Sequence, residues 1–224
     1  MSKRFVFLFV TLFLLAIISG VALARTYTLT GNAIGYQRYT LVTGDRLNVV
    51  NCSITNGGLV VRGSGAVSIS KLSVYNPGGV GVSLTMNGPI TIYHLTIYGP
   101  GVEDPIRPSG LTIHGATSAD IRYVSISGMA GNGVLVESID RVCSNIRLRD
   151  VSVVNCLGGV WFCNAFNCSL RDLTSVNSDY TPPGPRHAAG LVYPCVIDEK
   201  VNPSDPEGNM LRGTTEFLGT ISCN

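Results

Sequence analysis

Charge is scarce in this sequence: Asp, Glu, Lys and Arg together make up 13% of its 224 residues. Sixteen Lys and Arg stand against 14 Asp and Glu, and removing Lys3 and Arg4 with the first 24 residues leaves 14 of each sign. A near-neutral surface argues against a nucleic acid or an anionic membrane held by bulk charge. Helical periodicity is also missing past residue 24, which argues against an all-α or α/β domain. Nothing marks a second domain, and 224 less 24 residues leaves 200, enough for one domain with a sizeable core.

The long hydrophobic run that is present stands at the start. Lys3 and Arg4 precede an apolar stretch from Phe5 to Ile18, followed by Ser19-Gly20 and by Val-Ala-Leu-Ala ending at Ala24. A basic opening, an apolar centre and a small-x-small end describe a secretory signal peptide cleaved after Ala24, so the expected address is secreted or extracellular surface. The alternative is a retained anchor over Phe5 to Ala24, just long enough to span a bilayer.

All seven cysteines lie after residue 24, where an oxidising compartment permits disulfides, and an odd count leaves at least one unpaired. Two sequons, Asn51-Cys52-Ser53 and Asn167-Cys168-Ser169, make Asn51 and Asn167 glycosylation candidates.

Self-similarity at an interval of roughly 22–29 residues points to a solenoid. VSISKLSVYN ends at Asn76, ITIYHLTIYG at Gly99, ADIRYVSISG at Gly128, IRLRDVSVVN at Asn155 and CSLRDLTSVN at Asn177; DRLNVVN, ending at Asn51, reads as an earlier copy. Counting back from each terminal Asn or Gly, the positions nine, seven, four and two before it form apolar columns. Val67, Ile90, Ala119, Ile146 and Cys168 make the first; Leu72, Leu95, Val124, Val151 and Leu173, joined by Leu47, make the third. These are inward stripes of two short strands of period two. The step from seven to four breaks the alternation by one residue, as a bend requires. Asn and Gly tolerate left-handed backbone, so a sharp corner is expected at each terminal residue.

A third strand opens at a repeated glycine, in Gly58-Leu-Val-Val, Gly81-Val-Ser-Leu, Gly110-Leu-Thr-Ile, Gly133-Val-Leu-Val, Gly159-Val-Trp-Phe and, more weakly, Gly190-Leu-Val-Tyr. Three strands per turn make an all-β fold, a right-handed parallel β-helix of about six coils, in which stability comes from stacking. A β-sandwich would explain the alternation but not four apolar columns in register. Residues 42–194 are read as the helix, with caps over 25–41 and 195–224 covering exposed strand edges.

This register also sorts the cysteines. Cys52 and Cys156 follow Asn51 and Asn155, sharing a column four coils apart, roughly 19 Å, too far to bond. A bridge between Cys143 and Cys163 is reasonable in geometry, Cys195 and Cys223 are placed to staple the C-terminal cap, and Cys168 reads as a buried thiol. Cys163 and Cys168 with His114 lack the second pair that a metal site needs, so no metal or cofactor is expected.

The coil register, the Asn corners and the Gly-led third strand resemble the pectin-lyase-like right-handed β-helix superfamily over about residues 42–193. That resemblance is one of architecture. It implies that a long parallel sheet and the loops at its edge carry function, in a superfamily that includes polysaccharide lyases and hydrolases as well as tailspikes, adhesins and coat proteins. The outward columns of the third strand are Val60, Ser83, Thr112, Leu135, Trp161 and Arg62, Thr85, His114, Glu137, Cys163. Two long loops, 100–109 and 178–189, leave the same edge about three coils or 14 Å apart. The expected site is a shallow groove with Thr112, His114, Leu135, Glu137 and Trp161 on its floor and Asp104, Arg107, Tyr180, Arg186 and His187 on its walls. An aromatic face beside hydrogen-bonding groups suits a sugar ring.

Neither a carboxylate cluster for Ca²⁺ nor facing aspartates for acid and base work is found, and His114 with Glu137 is the one weak catalytic candidate. A further surface column, Arg122, Arg149 and Arg171 with Asp150 and Asp172 beside it, reads either as a grip for uronate or sulfate or as a self-paired ladder. Function is therefore read as non-catalytic binding of a polysaccharide, glycan or surface polymer. The alternatives are a structural protein that self-associates through its end caps and, third, a polysaccharide lyase or glycosidase.

Overall fold

Short segments rich in Val, Ile, Leu, Ser and Thr, with apolar residues at alternate positions, cannot close a core alone; in the computed structural model of this protein they do so by stacking. The structure describes residues 23–99, 108–137, 141–163, 165–166, 168–176, 195–197, 210–212 and 216–218. In chain order the strands are β1 (Thr26–Ile34), β2 (Gln37–Leu41), β3 (Arg46–Thr55), β4 (Leu59–Gly63), β5 (Ala66–Ile69), β6 (Leu72–Tyr75), β7 (Val82–Met86), β8 (Ile90–Tyr98) and β9 (Leu111–His114). They continue with β10 (Ala119–Ser127), β11 (Asn132–Glu137), β12 (Cys143–Ser144), β13 (Ile146–Val154), β14 (Gly158–Cys163) and β15 (Ala165–Phe166). Last come β16 (Ser169–Val176), β17 (Cys195–Ile197), β18 (Met210–Arg212) and β19 (Glu216–Leu218).

One sheet runs β1-β3-β5-β8-β10-β13-β16-β18, with β6 between β3 and β8 and β19 on β16; a second runs β17-β14-β11-β9-β7-β4-β2; β12 and β15 form a small third. The strand pairs are parallel, and the result is a β-helix of about six coils. The segment expected to cap one end, 25–41, supplies β1 and β2, which pair in parallel with β3 and β4.

The apolar columns hold. Ile90, Ala119 and Ile146 are partners, as are Ile92, Ile121 and Leu148, then Leu95, Val124 and Val151, then Ile97, Ile126 and Val153, and all are buried. The bend expected after the seventh position is a single residue in the left-handed region: His94 (φ 73°), Tyr123 (φ 56°), Asp150 (φ 53°) and Asp172 (φ 56°). Turning one residue over restores the inward alternation without an extra rung, so β8, β10 and β13 each run through the bend as one strand.

The first copy of the repeat needs a correction. Leu47 pairs with Val67 and Val49 with Ile69, while Cys52 pairs with Leu72 and Ile54 with Val74. Leu47 and Val49 therefore belong to the first two columns, Asn51 (φ 46°) is the bend residue, and Asn56 (φ 55°) is the corner. Asparagine tolerates left-handed backbone at either place, and that ambiguity caused the slip. Cys52 consequently lies in the core rather than beside a corner, and it shares no column with Cys156. The corners stack through backbone bonds: Asn56 N–H to Tyr75 O at 2.9 Å, Asn76 to Tyr98 at 2.8 Å, Gly99 to Ser127 at 2.7 Å and Gly128 to Val154 at 3.1 Å.

The glycine that opens the third strand has a steric cause. A Cβ on Gly81 would lie 2.9 Å from the Gly110 carbonyl oxygen and 2.9 Å from Cγ2 of Ile97, inside contact distance of both the next coil and the core.

Candidate functional site

The second sheet carries the candidate face. Alternation along each strand sends Leu111, Ile113, Val134, Val136, Val160 and Phe162 inward, where all are buried, and turns the residues between them outward. Register then stacks those outward residues into two columns. Val60 pairs with Ser83, Ser83 with Thr112, Thr112 with Leu135 and Leu135 with Trp161. Beside them Arg62 pairs with Thr85, Thr85 with His114, His114 with Glu137 and Glu137 with Cys163. Both columns match the sequence expectation rung for rung.

His114 and Glu137 meet as vertical neighbours, Nδ1 to Oε2 at 3.9 Å, both side chains half-buried. At that distance they form a loose ion pair when the imidazole is protonated. His114 Nδ1 is buried and has no hydrogen-bond partner. Trp161 and Leu135, also half-buried, continue the face on the next rungs. Thr112 departs from the expectation: at 5% exposure it lies beneath the surface, so the floor at its rung is closed. Asp104, Arg107, Tyr180, Arg186 and His187, the expected walls, lie outside the described residues.

Near the His114–Glu137 pair stands a buried cysteine. Cys143 is a buried thiol whose Sγ donates to the carbonyl oxygens of Glu137 at 3.2 Å and Ile113 at 3.6 Å. The thiol thus ties the ends of β9 and β11, the two strands that carry the pair. Strand register sets Cys143 beside Ala165 and Cys163 beside Glu137, and the side chain of Cys163, its expected bridge partner, lies outside the described residues. Cys168 is buried as expected, and burial pushes its thiol up to about 12. The side chains of Cys163 and Cys195 and the whole of Cys223 lie outside the described residues, as does Asn167; Asn51 is exposed at its bend.

On the other sheet Arg122, Arg149 and Arg171 stack as expected. Two carboxylates already engage them. Arg122 grips Asp120 through Nε at 3.0 Å and Nη2 at 2.6 Å, Arg149 approaches the same carboxylate at 3.9 Å, and Arg171 Nε meets Asp172 at 2.9 Å. The Arg122 guanidinium holds the Asp120 carboxyl below its usual range. A self-paired ladder is therefore the reading these distances support. Asp120 supplies its centre, and it sits two residues from Arg122 on the same outward face, a spacing that period two makes visible in the sequence.

Tyr93, His94 and Tyr123 form an aromatic cluster above that ladder, with ring centroids 4.6–5.0 Å apart. Two of these rings stand on left-handed bend residues, and counting corners alone does not find them. Tyr75 and Tyr98 stack at 5.3 Å beside the corner column.

Among the described residues, no group of three or more His, Cys, Asp and Glu is placed to hold a metal ion, and no helix is long and apolar enough to cross a membrane. A family model described as right handed beta helix region matches residues 40–182. No curated protein and no solved structure matches the chain.

Proposed function

Because the chain belongs to the right-handed β-helix family, we propose that it is an exported, non-catalytic β-helix that binds a carbohydrate or surface polymer along the outward face of its second sheet. One observation carries the reading: parallel register sets His114, Glu137 and Trp161 on three consecutive rungs of a single face, about 4.8 Å apart. A ring face packs against the apolar side of a sugar, and the neighbouring imidazole and carboxylate take its hydroxyls. The Cys143 thiol behind β9 and β11 holds those two rungs together, so the pair is presented by a stiff support. Site-directed binding follows from this arrangement, whereas charge-driven binding does not, given a mature chain with balanced charge.

A panel of plant, fungal, bacterial and animal polysaccharides tests the proposal. Retention of the exported protein by one polymer class, lost in Trp161→Ala and His114→Ala with the circular dichroism unchanged, is the expected result. Retention by none of them contradicts it. New reducing ends or the absorbance of unsaturated uronates would instead revive the lyase and hydrolase reading.

A second reading has its own support. Among the described residues β1 and β2 end their sheets, and Ile34 on β1 is 81% exposed. An unpaired strand edge is a template for another chain. Filaments of the purified protein in electron micrographs would favour self-assembly through that end.

A further inference from the structure

Two independent features meet at Arg25. In the sequence, the small residues Ala22 and Ala24 close the apolar leader and place its cleavage site directly before this residue. In the fold, Arg25 is the first residue to be anchored. Its backbone N–H donates to Oδ1 of Asp45 at 2.9 Å, its carbonyl accepts from Arg46 N–H at 2.8 Å, and its guanidinium reaches Oδ2 of Asp45 at 3.2 Å. Strand β1 begins at the next position.

Asp45 is a buried carboxylate, 1% exposed, in the turn between the first coil and β3. Val42 N–H donates to its second oxygen at 3.2 Å, so three donors from two ends of the coil converge on one side chain. A carboxylate this buried is costly without charged partners. Of the present donors only the Arg25 guanidinium carries charge, and its side chain is mostly exposed. On the other side of the junction, Leu23 is 83% exposed and Ala24 is exposed, so the bond between Ala24 and Arg25 lies at the surface.

We propose that the leader is removed between Ala24 and Arg25, and that the α-ammonium created on Arg25 closes onto the buried Asp45 carboxylate and locks the first coil of the mature protein. The reaction is a hydrolysis by a signal peptidase. Water adds across the amide bond, Ala24 leaves with the leader as a new carboxylate, and the Arg25 nitrogen takes up the protons that make it an ammonium. The donor atom keeps its place at 2.9 Å from Oδ1. What changes is its charge, which converts a hydrogen bond from a neutral amide into an ion pair between ammonium and carboxylate. Cleavage one residue later would remove the donor, and cleavage earlier would carry the charge out into solvent. The inference rests on the export reading above and is independent of ligand binding.

The full precursor, exported from a host with a signal peptidase, provides the test. Intact-mass measurement of the mature protein is expected to show a chain beginning at Arg25, and any other terminus overturns the proposal. The α-amine, paired with a carboxylate, stays protonated to higher pH than the usual value of about 8, so an amine-acylating reagent at neutral pH should label it about tenfold more slowly than in denaturant. Equal rates overturn the lock. Asp45→Asn should abolish that protection. A second precursor, with Gly-Ser inserted between Ala24 and Arg25, retains Asp45 and the Arg25 N–H but moves the charge away; it should lose the protection and melt at a lower temperature. An unchanged melting temperature in the insertion chain counts against the lock. An unprotected amine on a chain that does begin at Arg25 overturns the lock and leaves export standing, whereas an uncleaved precursor overturns both.

Discussion

At the scale of the residue, the acids and thiols of this chain have their chemistry set by neighbours that stacking supplies. Asp45 accepts backbone hydrogen bonds from Arg25 and Val42 and an ion pair from Arg25, and these hold its carboxyl below the usual range. The folded carboxyl then binds its proton at lower pH than the unfolded one does. Stability from this group is complete above the unfolded value near 3.8 and drains as pH falls through the lower folded value. Acid titration of the melting temperature should accordingly show a steeper drop below pH about 4 for the parent than for Asp45→Asn. Thiols report on the same environment: burial raises those of Cys52, Cys156 and Cys168. Thiolate is the reactive form, so an alkylating reagent at pH about 8 should spare all three in the native protein and modify them in denaturant. Of these residues, Cys168 could be read from its place in an apolar column. Cys52 could not, because Asn51 fits a bend and a corner equally well and the choice between them moves Cys52 by half a strand.

For the strand and its bend, the backbone decides. Nine non-glycine residues of the described chain have positive φ, and five of them, Asn51, His94, Tyr123, Asp150 and Asp172, occupy the same bend in five of the coils. Left-handed backbone costs a residue with a Cβ roughly 1–2 kcal/mol, and a β-branched side chain fares worst. Replacing the exposed Asp150 should discriminate. Asp150→Gly is expected to leave the denaturation midpoint nearly unchanged, while Asp150→Val lowers stability by about 1–2 kcal/mol in urea titrations. The columns, the corners and the outward pairs of the second sheet were legible because period two and the coil interval reinforce one another over five segments. The bend was legible only as a break in spacing. Its aromatic occupants, His94 and Tyr123, carry no turn signal, and the cluster they make with Tyr93 forms only after adjacent coils have stacked. The contacts of Cys143 were hidden for a related reason: its Ile113 acceptor lies one coil away, and only stacking brings the two together.

Taken whole, the molecule is a column of coils in which each buries the next. Leu95 lies between Leu72 and Val124 and is fully buried, so Leu95→Ala should cost about 2–5 kcal/mol, read as a loss in the urea midpoint. The same stacking that builds the core also aligns the outward columns, and function in this account belongs to one of those faces. Trp161 makes the claim directly measurable, since it is the one tryptophan in the chain and stands on the proposed binding face. Titrating the purified protein with a polysaccharide that retains it on a column should shift tryptophan emission saturably, at the concentrations where retention occurs. A polysaccharide that retains the protein while its tryptophan emission stays constant to saturation would place binding elsewhere and contradict the account.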